Sequence, residues 1–478
     1  KDVIQGSKDW LQTLQKGGLF QSRQQDRRSQ VTLSNTFQSS ITTPLTPKEN
    51  HLVLFAVPSI RFFDGRGANR PWLCEVPDTL TQIAWQTPVL MHPETVAARG
   101  LKQGDIVQIE SRWGQLKMPV YETSGVHSKA AVVAIGQGHS AYGRYARGRG
   151  LNPMELLSSE LDPGTGGPFF AAGPIALKKT GRSIKLAHTD GSRDQHGRKI
   201  ALSVQLKDLA HPEHHQEHGL AMWEFPLVLP LPEAYDRKTR DIYPPHKHED
   251  YRWAMVVDMD KCIGCSACSA ACYAENNVAV VGEERIVEGR EMAWLQIQRY
   301  EDPEQREKVT FLPMLCQHCD NAPCESVCPV YAPHHSKEGL NNQIYNRCIG
   351  TRFCSQDCPY KVRRFNWFLW EWPRPLNLQL NPDVTVRFKG VMEKCSFCIQ
   401  RIKDAHNTAK NEGRKILDGE IQPACLQTCP TGAFTFGNLM DEESTVRKLV
   451  QDQRAYQVMG YLNTKPAVIY LKKVVQDI

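Results

Sequence analysis

The sequence predicts an α+β protein with two globular parts, a β-rich domain over residues 51–185 and a cysteine-rich domain over residues 251–478. The length of 478 residues suggests two to four domains. Short alternating or β-branched stretches separated by glycine turns occupy the first part. Fifteen of the 16 cysteines lie in the second part, between positions 262 and 429.

Composition and charge exclude several classes of protein. Hydrophobic residues make up 41% of the chain and charged residues 23%, which is typical of a globular protein. No apolar run reaches the ~18–20 residues of a membrane helix, so an integral membrane protein is excluded, although a peripheral one is not. The net charge of +6 is small and gives no support for nucleic-acid binding. Because the chain begins at Lys1 with neither an initiator Met nor a signal peptide, we expect a processed or partial polypeptide.

The segments before the cysteines are interpreted in chain order. Residues 1–50 are polar, and they indicate a short helical piece followed by an extended stretch. Within residues 51–185, strands are predicted at His51–Val57, Asp105–Glu110 and Gln115–Tyr121. A short helix is predicted at Thr95–Arg99. Residues 186–250 contain a Pro-rich stretch, and six histidines lie between His211 and His248, which is typical of a linker.

Two features of these segments have more than one interpretation. The glycine-rich stretch 136–150 meets only the loose form of a dinucleotide-binding fingerprint, and a tight loop at a barrel corner is favoured. The histidines between His211 and His248 could bind metal or haem. They lie among Glu, Pro and Lys, however, so a solvated linker lying over a partner is favoured.

The fifteen clustered cysteines form four groups. The first is Cys262-x2-Cys265-x2-Cys268-x3-Cys272, and the second is Cys316-x2-Cys319-x4-Cys324-x3-Cys328-Pro329. The third is Cys348-x5-Cys354-x3-Cys358-Pro359, with Thr351 where a second cysteine is expected. The fourth is Cys395-x2-Cys398, followed after a long insertion by Cys425-x3-Cys429-Pro430.

This spacing favours iron–sulfur clusters over zinc or disulfides. In bacterial ferredoxins, C-x2-C-x2-C-x3-C-P gives three thiolates to one cluster and the fourth to a partner cluster. A tetrahedral zinc site needs two Cys pairs and no trailing cysteine, and disulfide scaffolds scatter their cysteines over small secreted domains. Fifteen ligands correspond to three [4Fe–4S] clusters and one [3Fe–4S] cluster, with Thr351 at the missing ligand. The alternative is a fourth iron held by water, hydroxide or Thr351.

Basic and aromatic residues follow the third group. Lys361, Arg363 and Arg364 would raise the potential of a nearby cluster by stabilising its reduced form, or they are ordinary surface charges. The aromatic residues between Phe365 and Trp372 indicate an interface with another subunit or a membrane surface. Shielding of the clusters is the equal alternative.

Over Trp253–Lys473 the four groups resemble the four-cluster electron-transfer subunits that accompany molybdopterin enzymes such as DMSO, polysulfide and nitrate reductases. In that family the first and last groups exchange their fourth cysteines, as do the second and third. The resemblance implies four ligand sets: Cys262, Cys265, Cys268 and Cys429; Cys272, Cys395, Cys398 and Cys425; Cys316, Cys319, Cys324 and Cys358; and, for the [3Fe–4S] cluster, Cys328, Cys348 and Cys354. Thr351 departs from the all-cysteine members.

The upstream part resembles the C-terminal double-psi β-barrel domain of molybdopterin oxidoreductases, which helps to hold the pterin dinucleotide. The residues that carry this resemblance are Pro71–Leu73, Thr81–Trp85, Ala97–Ile109 and Gly136–Asn152. The fusion of such a barrel to a four-cluster domain is similar to the B subunits of alternative complex III. Three short motifs are also similar to those B subunits: Glu275-Asn276-Asn277, Val281-Gly282 and Gly289-Arg290-Glu291-Met292.

This resemblance implies a redox subunit, with no catalytic site of its own, in a respiratory or photosynthetic complex that oxidises quinol. Its partners would be an integral membrane quinol-binding subunit and cytochrome c subunits, at the periplasmic face of a bacterial membrane. Electrons would pass through the clusters towards haem c and a periplasmic carrier, and no molybdopterin would be bound. The alternative is the iron–sulfur subunit of a molybdenum-dependent polysulfide or tetrathionate reductase. A stand-alone ferredoxin fits less well, because a mobile carrier needs neither barrel nor linker.

Overall fold

The computed structural model describes residues 51–189, 191–210, 227–231, 246 and 248–476, which belong to one structural unit, Pro47–Ile478. The prediction for residues 1–50 lies outside the described residues. Among the residues that are described, no helix is both long and apolar enough to cross a bilayer.

The first part of the chain closes into a six-stranded barrel. Its strands are β1 Leu52–Pro58, β2 Val89–Met91, β3 Asp105–Glu110, β4 Gln115–Glu122, β5 Ala130–Ile135 and β6 Ala171–Ser183, with helices α1 Pro71–Glu75 and α2 Pro93–Ala98. Around the barrel the order is β1, β5, β2, β4, β3 and β6. The pairs β1–β5 and β2–β4 are parallel, and the other pairs are antiparallel.

The barrel confirms the predicted β-rich domain. The three predicted strands correspond to β1, β3 and β4, and the predicted helix to α2, each within two residues. Val107 and Ile109 of β3 pack inside with Met118 and Val120 of β4, and all four are fully buried. Residues two apart on a strand face the same side, so these apolar pairs form the barrel core. The double-psi connection stays a prediction.

The described residues after the barrel form short elements. The strands are β7 Ser203–Gln205, β8 Trp253–Asp258, β9 Gln296–Glu301, β10 Val309–Met314, β11 Pro333–His335, β12 Asn341–Gln343, β13 Arg364–Phe365, β14 Met392–Glu393, β15 Phe434–Asn438, β16 Ala455–Tyr456, β17 Val468–Leu471 and β18 Lys473–Val475. The helices are α3 Leu206–Ala210, α4 Ala267–Glu275, α5 Glu283–Val287, α6 Pro323–Ser326, α7 Phe353–Asp357, α8 Ile399–Asn411, α9 Ala424–Thr428 and α10 Thr445–Leu449.

A four-stranded sheet, in the order β15, β8, β17 and β16, supports the cysteine-rich part. Its central strand β8 is buried along its whole length. Met255 and Val257 face the core that contains most of the clustered cysteines, whereas Ala254 and Val256 face a second apolar core. A strand covered on both faces has a continuous apolar sequence, as residues 253–257 do here.

Parts of the predicted linker are packed, although most of residues 191–199 are exposed. β7 pairs in parallel with β18, and Leu231 lies in the same core as Ala254. His248 is 6% exposed, and its Nε2 lies 3.0 Å from Asp320 Oδ2. The solvated interpretation is therefore wrong for His248, while the four histidines between positions 211 and 218 lie outside the described residues.

Candidate metal centres

Each cysteine group begins with a loop of the same backbone shape. The residue two positions after the first cysteine is left-handed in all four groups, with φ of 70° at Gly264, 44° at His318, 76° at Gly350 and 55° at Phe397. The rings of His318 and Phe397 stack, with centroids 4.0 Å apart. In three groups a cysteine follows the left-handed residue, and in the third group Thr351 follows it. Thr351 therefore occupies the loop position of a metal-binding cysteine.

The three Cys-Pro turns direct a backbone N–H at the preceding sulfur. In each turn the residue three positions after the cysteine is left-handed, and the next residue donates its N–H to Sγ. The pairs are Ala332 and Cys328 (3.3 Å), Ala433 and Cys429 (3.3 Å), and Val362 and Cys358. Hydrogen bonds to sulfur favour the thiolate and tune the potential of a bound cluster.

The first site combines the first group with one cysteine from the fourth. Burial raises the pKa of Cys268, and the charges of Cys262, Cys265 and Cys429 raise it further. Burial likewise raises the pKa of Cys262, with Cys429 and Cys265 among its charged neighbours. These four thiols thus lie together.

The second site combines the trailing cysteine of the first group with the fourth group. Burial raises the pKa of Cys272, as do Cys395 and Cys398. Cys425 shows the same direction for its pKa, from burial first and then from the other three thiols. Asn276 Nδ2 donates to Cys272 Sγ over 3.6 Å and to Cys398 Sγ over 3.8 Å. Asn276 was noted in the sequence only as part of a family motif and not as a site residue, although it lies one helical turn after Cys272.

The third site joins the second group to the third. Cys316, Cys319, Cys324 and Cys358 line one cavity. Burial raises the pKa of Cys319, and the other three thiols raise it further. Burial also raises the pKa of Cys324, to about 12.

Three cysteines of the clustered set remain, and Cys328, Cys348 and Cys354 are the predicted ligands of a fourth site. Packing of α6 on α7 brings the segment that ends at Cys328 beside the helix that carries Cys354. Cys348 Sγ accepts the Met392 N–H over 3.4 Å. Thr351 is exposed at the surface of this site, between Ile349 and Phe353, which are 65% and 59% exposed.

The thiols and the space between them fit iron–sulfur clusters. All sixteen cysteines are unbridged, which disagrees with the disulfide interpretation. The cavity at the third site lies between four thiols, the donor set of a [4Fe–4S] cluster. In the described parts of the chain, no three His, Cys, Asp or Glu side chains are arranged around a single metal ion.

The three basic residues after the third group differ in their surroundings. Arg363 is buried, and its charge interacts with Cys324, Cys354 and Cys316. Arg364 Nη1 lies 3.0 Å from Glu291 Oε1, and exposed Lys361 donates to a backbone carbonyl. Interpretation as a surface charge is therefore wrong for Arg363 and confirmed for Lys361.

The aromatic residues after Phe365 make mostly intramolecular contacts. Trp370 packs on Trp372, with ring centroids 5.8 Å apart, and Trp372 packs on Trp72 of α1 at 5.6 Å. Trp367, 36% exposed, lies under the Arg290 guanidinium at 3.8 Å. These residues shield the junction between the barrel and the cysteine-rich part.

The glycine-rich stretch forms a tight loop, as favoured from the sequence. A Cβ at Gly138 would lie 2.2 Å from Asn152 N, and one at Gly150 would lie 2.5 Å from Gln137 Cβ. Gln137 is buried and donates to the Trp85 carbonyl over 2.9 Å. Close backbone approach accounts for these glycines.

Glu75 is a buried carboxylate that sequence reasoning missed. It lies at the end of α1 and accepts the Trp85 Nε1–H over 3.1 Å and the Gly282 N–H over 2.6 Å. Its second oxygen is buried without a hydrogen-bond partner. Burial raises the pKa of Glu75 to about 7. Gly282 is 207 residues away, so no local pattern connects the two.

Comparisons with known proteins agree with both parts of the chain. The model of the molydopterin dinucleotide binding domain matches residues 78–174, and two 4Fe-4S dicluster domain models match residues 256–332 and 307–372. Among curated relatives, the iron–sulfur cluster-binding subunit of menaquinone reductase from Nitratidesulfovibrio vulgaris is 40% identical over 228 residues, which cover 46% of this chain and 89% of that protein.

A second relative is iron–sulfur subunit 1 of the Hdr-like menaquinol oxidoreductase of Archaeoglobus fulgidus. It is 35% identical over 255 residues, covering 49% of this chain and 89% of that subunit. Among solved structures, acetylene hydratase from Pelobacter acetylenicus is 22% identical with a TM-score of 0.22, covering 27% of this chain and 18% of that one. That likeness is too low to support a conclusion.

Proposed function

The chain belongs to the family of iron–sulfur electron-transfer subunits of molybdopterin oxidoreductases, and on this premise we propose that it relays electrons in a quinol-oxidising complex of the alternative complex III type. Bound iron–sulfur clusters supply the one-electron storage that such a relay needs. The observation that carries the proposal is the grouping of twelve thiols into three neighbouring sites, with Cys328, Cys348 and Cys354 left over for a fourth.

The proposed ligands follow that sorting. The first, second and third sites each supply four thiolates to a [4Fe–4S] cluster, and the fourth site supplies three to a [3Fe–4S] cluster. The first three assignments are supported by the electrostatic coupling among their members. The fourth rests on the position of Thr351, whose hydroxyl is a poor ligand at a loop position where the other groups have a cysteine.

Neighbouring residues and interactions support an order for the sites. Cys268 and Cys272 lie one turn apart on α4 and belong to the first and second sites. Cys395 of the second site interacts with Cys316 of the third. Arg363 interacts with thiols of the third and fourth sites. Electrons would therefore travel along a linear array with the first and fourth sites at its ends.

We place the quinol-binding membrane partner at the fourth site. The exposed Ile349 and Phe353 flank Thr351 there, and apolar side chains at a surface suit burial by another subunit. Arg363 stabilises added negative charge, which suits this end to accept electrons from quinol. The remaining partners of the proposal are cytochrome c subunits, at the periplasmic face of a bacterial membrane.

The barrel would serve as a structural domain without molybdopterin in this proposal. Its match to a dinucleotide-binding model favours one competing function, that of a subunit in a molybdenum- or tungsten-dependent reductase. Electrons from quinol would then end at a pterin instead of at haem c.

Metal and haem analysis of the native complex, purified through this subunit, separates the two functions. We expect iron and haem c without stoichiometric molybdenum or tungsten. Stoichiometric molybdenum or tungsten would instead establish the reductase. EPR of the oxidised complex tests the fourth site, because an oxidised [3Fe–4S] cluster is paramagnetic and an oxidised [4Fe–4S]2+ cluster is silent.

A further inference from the structure

Three histidines, an arginine and a carboxylate form a largely buried network beside the third site. His248 Nε2 lies 3.0 Å from Asp320 Oδ2, and Arg252 Nη2 lies 2.8 Å from Asp320 Oδ1. His335 Nε2 lies 3.6 Å from the same Oδ1. His246 stacks on His335, with ring centroids 4.2 Å apart. We call these five residues the His246–His335 network.

The network reaches the third site through short connections. Asp320 directly follows Cys319 in the chain. On the other side, His335 Nδ1 lies 2.5 Å from Glu325 Oε1, and Asn341 donates to Glu325. Asn341 Oδ1 in turn lies 3.8 Å from Cys324 Sγ. A charge added at the third site therefore acts on the network through a buried, low-dielectric region.

The charges facing His246 determine which ring can accept a proton. Although burial opposes it, the nearby Asp320 carboxylate and the hydrogen bond with Glu325 raise the pKa of His335, so this ring is the preferred site of positive charge. Burial lowers the pKa of His246, and His335 and His248 lower it further, against the pull of Asp320 and Glu325. His335 therefore takes the first proton of the stacked pair, and His246 is left to take a second.

The free proton acceptor of His246 can be identified from its hydrogen bond. His246 Nε2 lies 3.1 Å from the Asp320 carbonyl oxygen, which can only accept, so Nε2 carries the hydrogen. Nδ1 is then the basic nitrogen. The ring is half-buried, whereas the side chain of His248 is 1% exposed. Of these two rings, His246 is the one that solvent reaches.

We propose that His246 takes up a proton at Nδ1 when the centre at the third site gains an electron. This inference rests on the proposed function. One electron, derived from quinol through the neighbouring site, adds one negative charge. One proton from water converts the neutral imidazole to an imidazolium, so the charge of the region is unchanged. The third site would then store a hydrogen equivalent rather than a bare electron.

Redox titration of the native complex, followed by EPR at several pH values, tests this proposal. The signal of the third site is identified by its change in a Cys358→Ser variant. We expect its midpoint potential to fall as pH rises, because the proton binds the reduced state more tightly. The limiting slope is about 59 mV per pH unit, the one-electron equivalent of a tenfold change.

His246→Gln should flatten this slope, and His127→Gln, at an exposed barrel histidine, should leave it unchanged. A pH-independent potential in the wild type, or a slope that survives in His246→Gln, overturns the proposal. If His246→Gln loses the cluster, the reduced-minus-oxidised infrared spectrum of the wild type decides. Imidazolium bands that appear on reduction support the proposal, and their absence overturns it. Absence of all iron–sulfur signals from the wild type would instead contradict the proposed function.

Discussion

Glu75→Gln should make the junction between the barrel and the cysteine-rich part insensitive to pH. In the wild type the Glu75 carboxylate is buried with one unpartnered oxygen. Gln keeps the oxygen that accepts from Trp85 and Gly282 but cannot ionise. The variant therefore imitates the protonated form of Glu75 at every pH.

The size of the effect follows from the pKa of Glu75, which burial raises from 4.5 to about 7. A group whose pKa is raised on folding contributes its full stability below the unfolded value. That contribution is lost as pH rises from about 4.5 to about 7. Each unit corresponds to about 1.4 kcal/mol, so the junction should lose about 3 kcal/mol over this window.

Hydrogen–deuterium exchange of the peptides that contain α1 and Gly282 measures this loss, because amides exchange when the junction opens locally. Wild type and variant are compared at each pH, which cancels the intrinsic pH dependence of exchange. We expect the wild type and the variant to exchange at similar rates near pH 5. Above pH 7 the wild type should exchange faster than the variant, by on the order of 100-fold. Glu284→Gln, at an exposed carboxylate of α5, is the matched control. A wild-type-to-variant ratio that stays the same from pH 5 to pH 8 would refute the reasoning.

Three further predictions concern the cysteine sites. Arg363→Gln should lower the midpoint potential of the fourth site, whereas Arg364→Gln should change it little because Glu291 already balances the charge of Arg364. Equal shifts of the potential in a redox titration would contradict this difference. Thr351→Cys should convert the three-iron centre to a four-iron one, seen as loss of the EPR signal of the oxidised protein, and a persistent signal would contradict the loop-position argument. Iron chelation should increase hydrogen exchange strongly over residues 251–476 and little over the barrel, because the cysteines form part of the core of the second part. An equal change in exchange over both parts would contradict this prediction.

The sequence predicted well whatever depends on local spacing. The strands β1, β3 and β4 follow from period-two alternation, and the four cysteine groups follow from two- and three-residue steps. The division of the thiols among sites was inferred only from a family resemblance. It joins residues as distant as Cys268 and Cys429, and nothing in the spacing of either group specifies the other.

Features set by tertiary packing were beyond sequence reasoning. Arg363 and Arg364 are adjacent in the chain, yet one interacts with sulfur and the other pairs with Glu291. Likewise, His248 lies in a polar stretch but is buried because Asp320 provides a partner. In each case a distant residue decides the environment, and composition carries no information about it.

The stack of His318 on Phe397 has a consequence for how the protein acquires its iron. Both residues hold a left-handed backbone, which costs an ordinary side chain about 1–2 kcal/mol. One loop supplies ligands to the third site and the other to the second, so each ring holds the other loop in its binding shape. Filling either site should therefore prepare its neighbour, and we expect cofactor insertion to be cooperative. Chains caught during maturation would then carry both of these centres or neither.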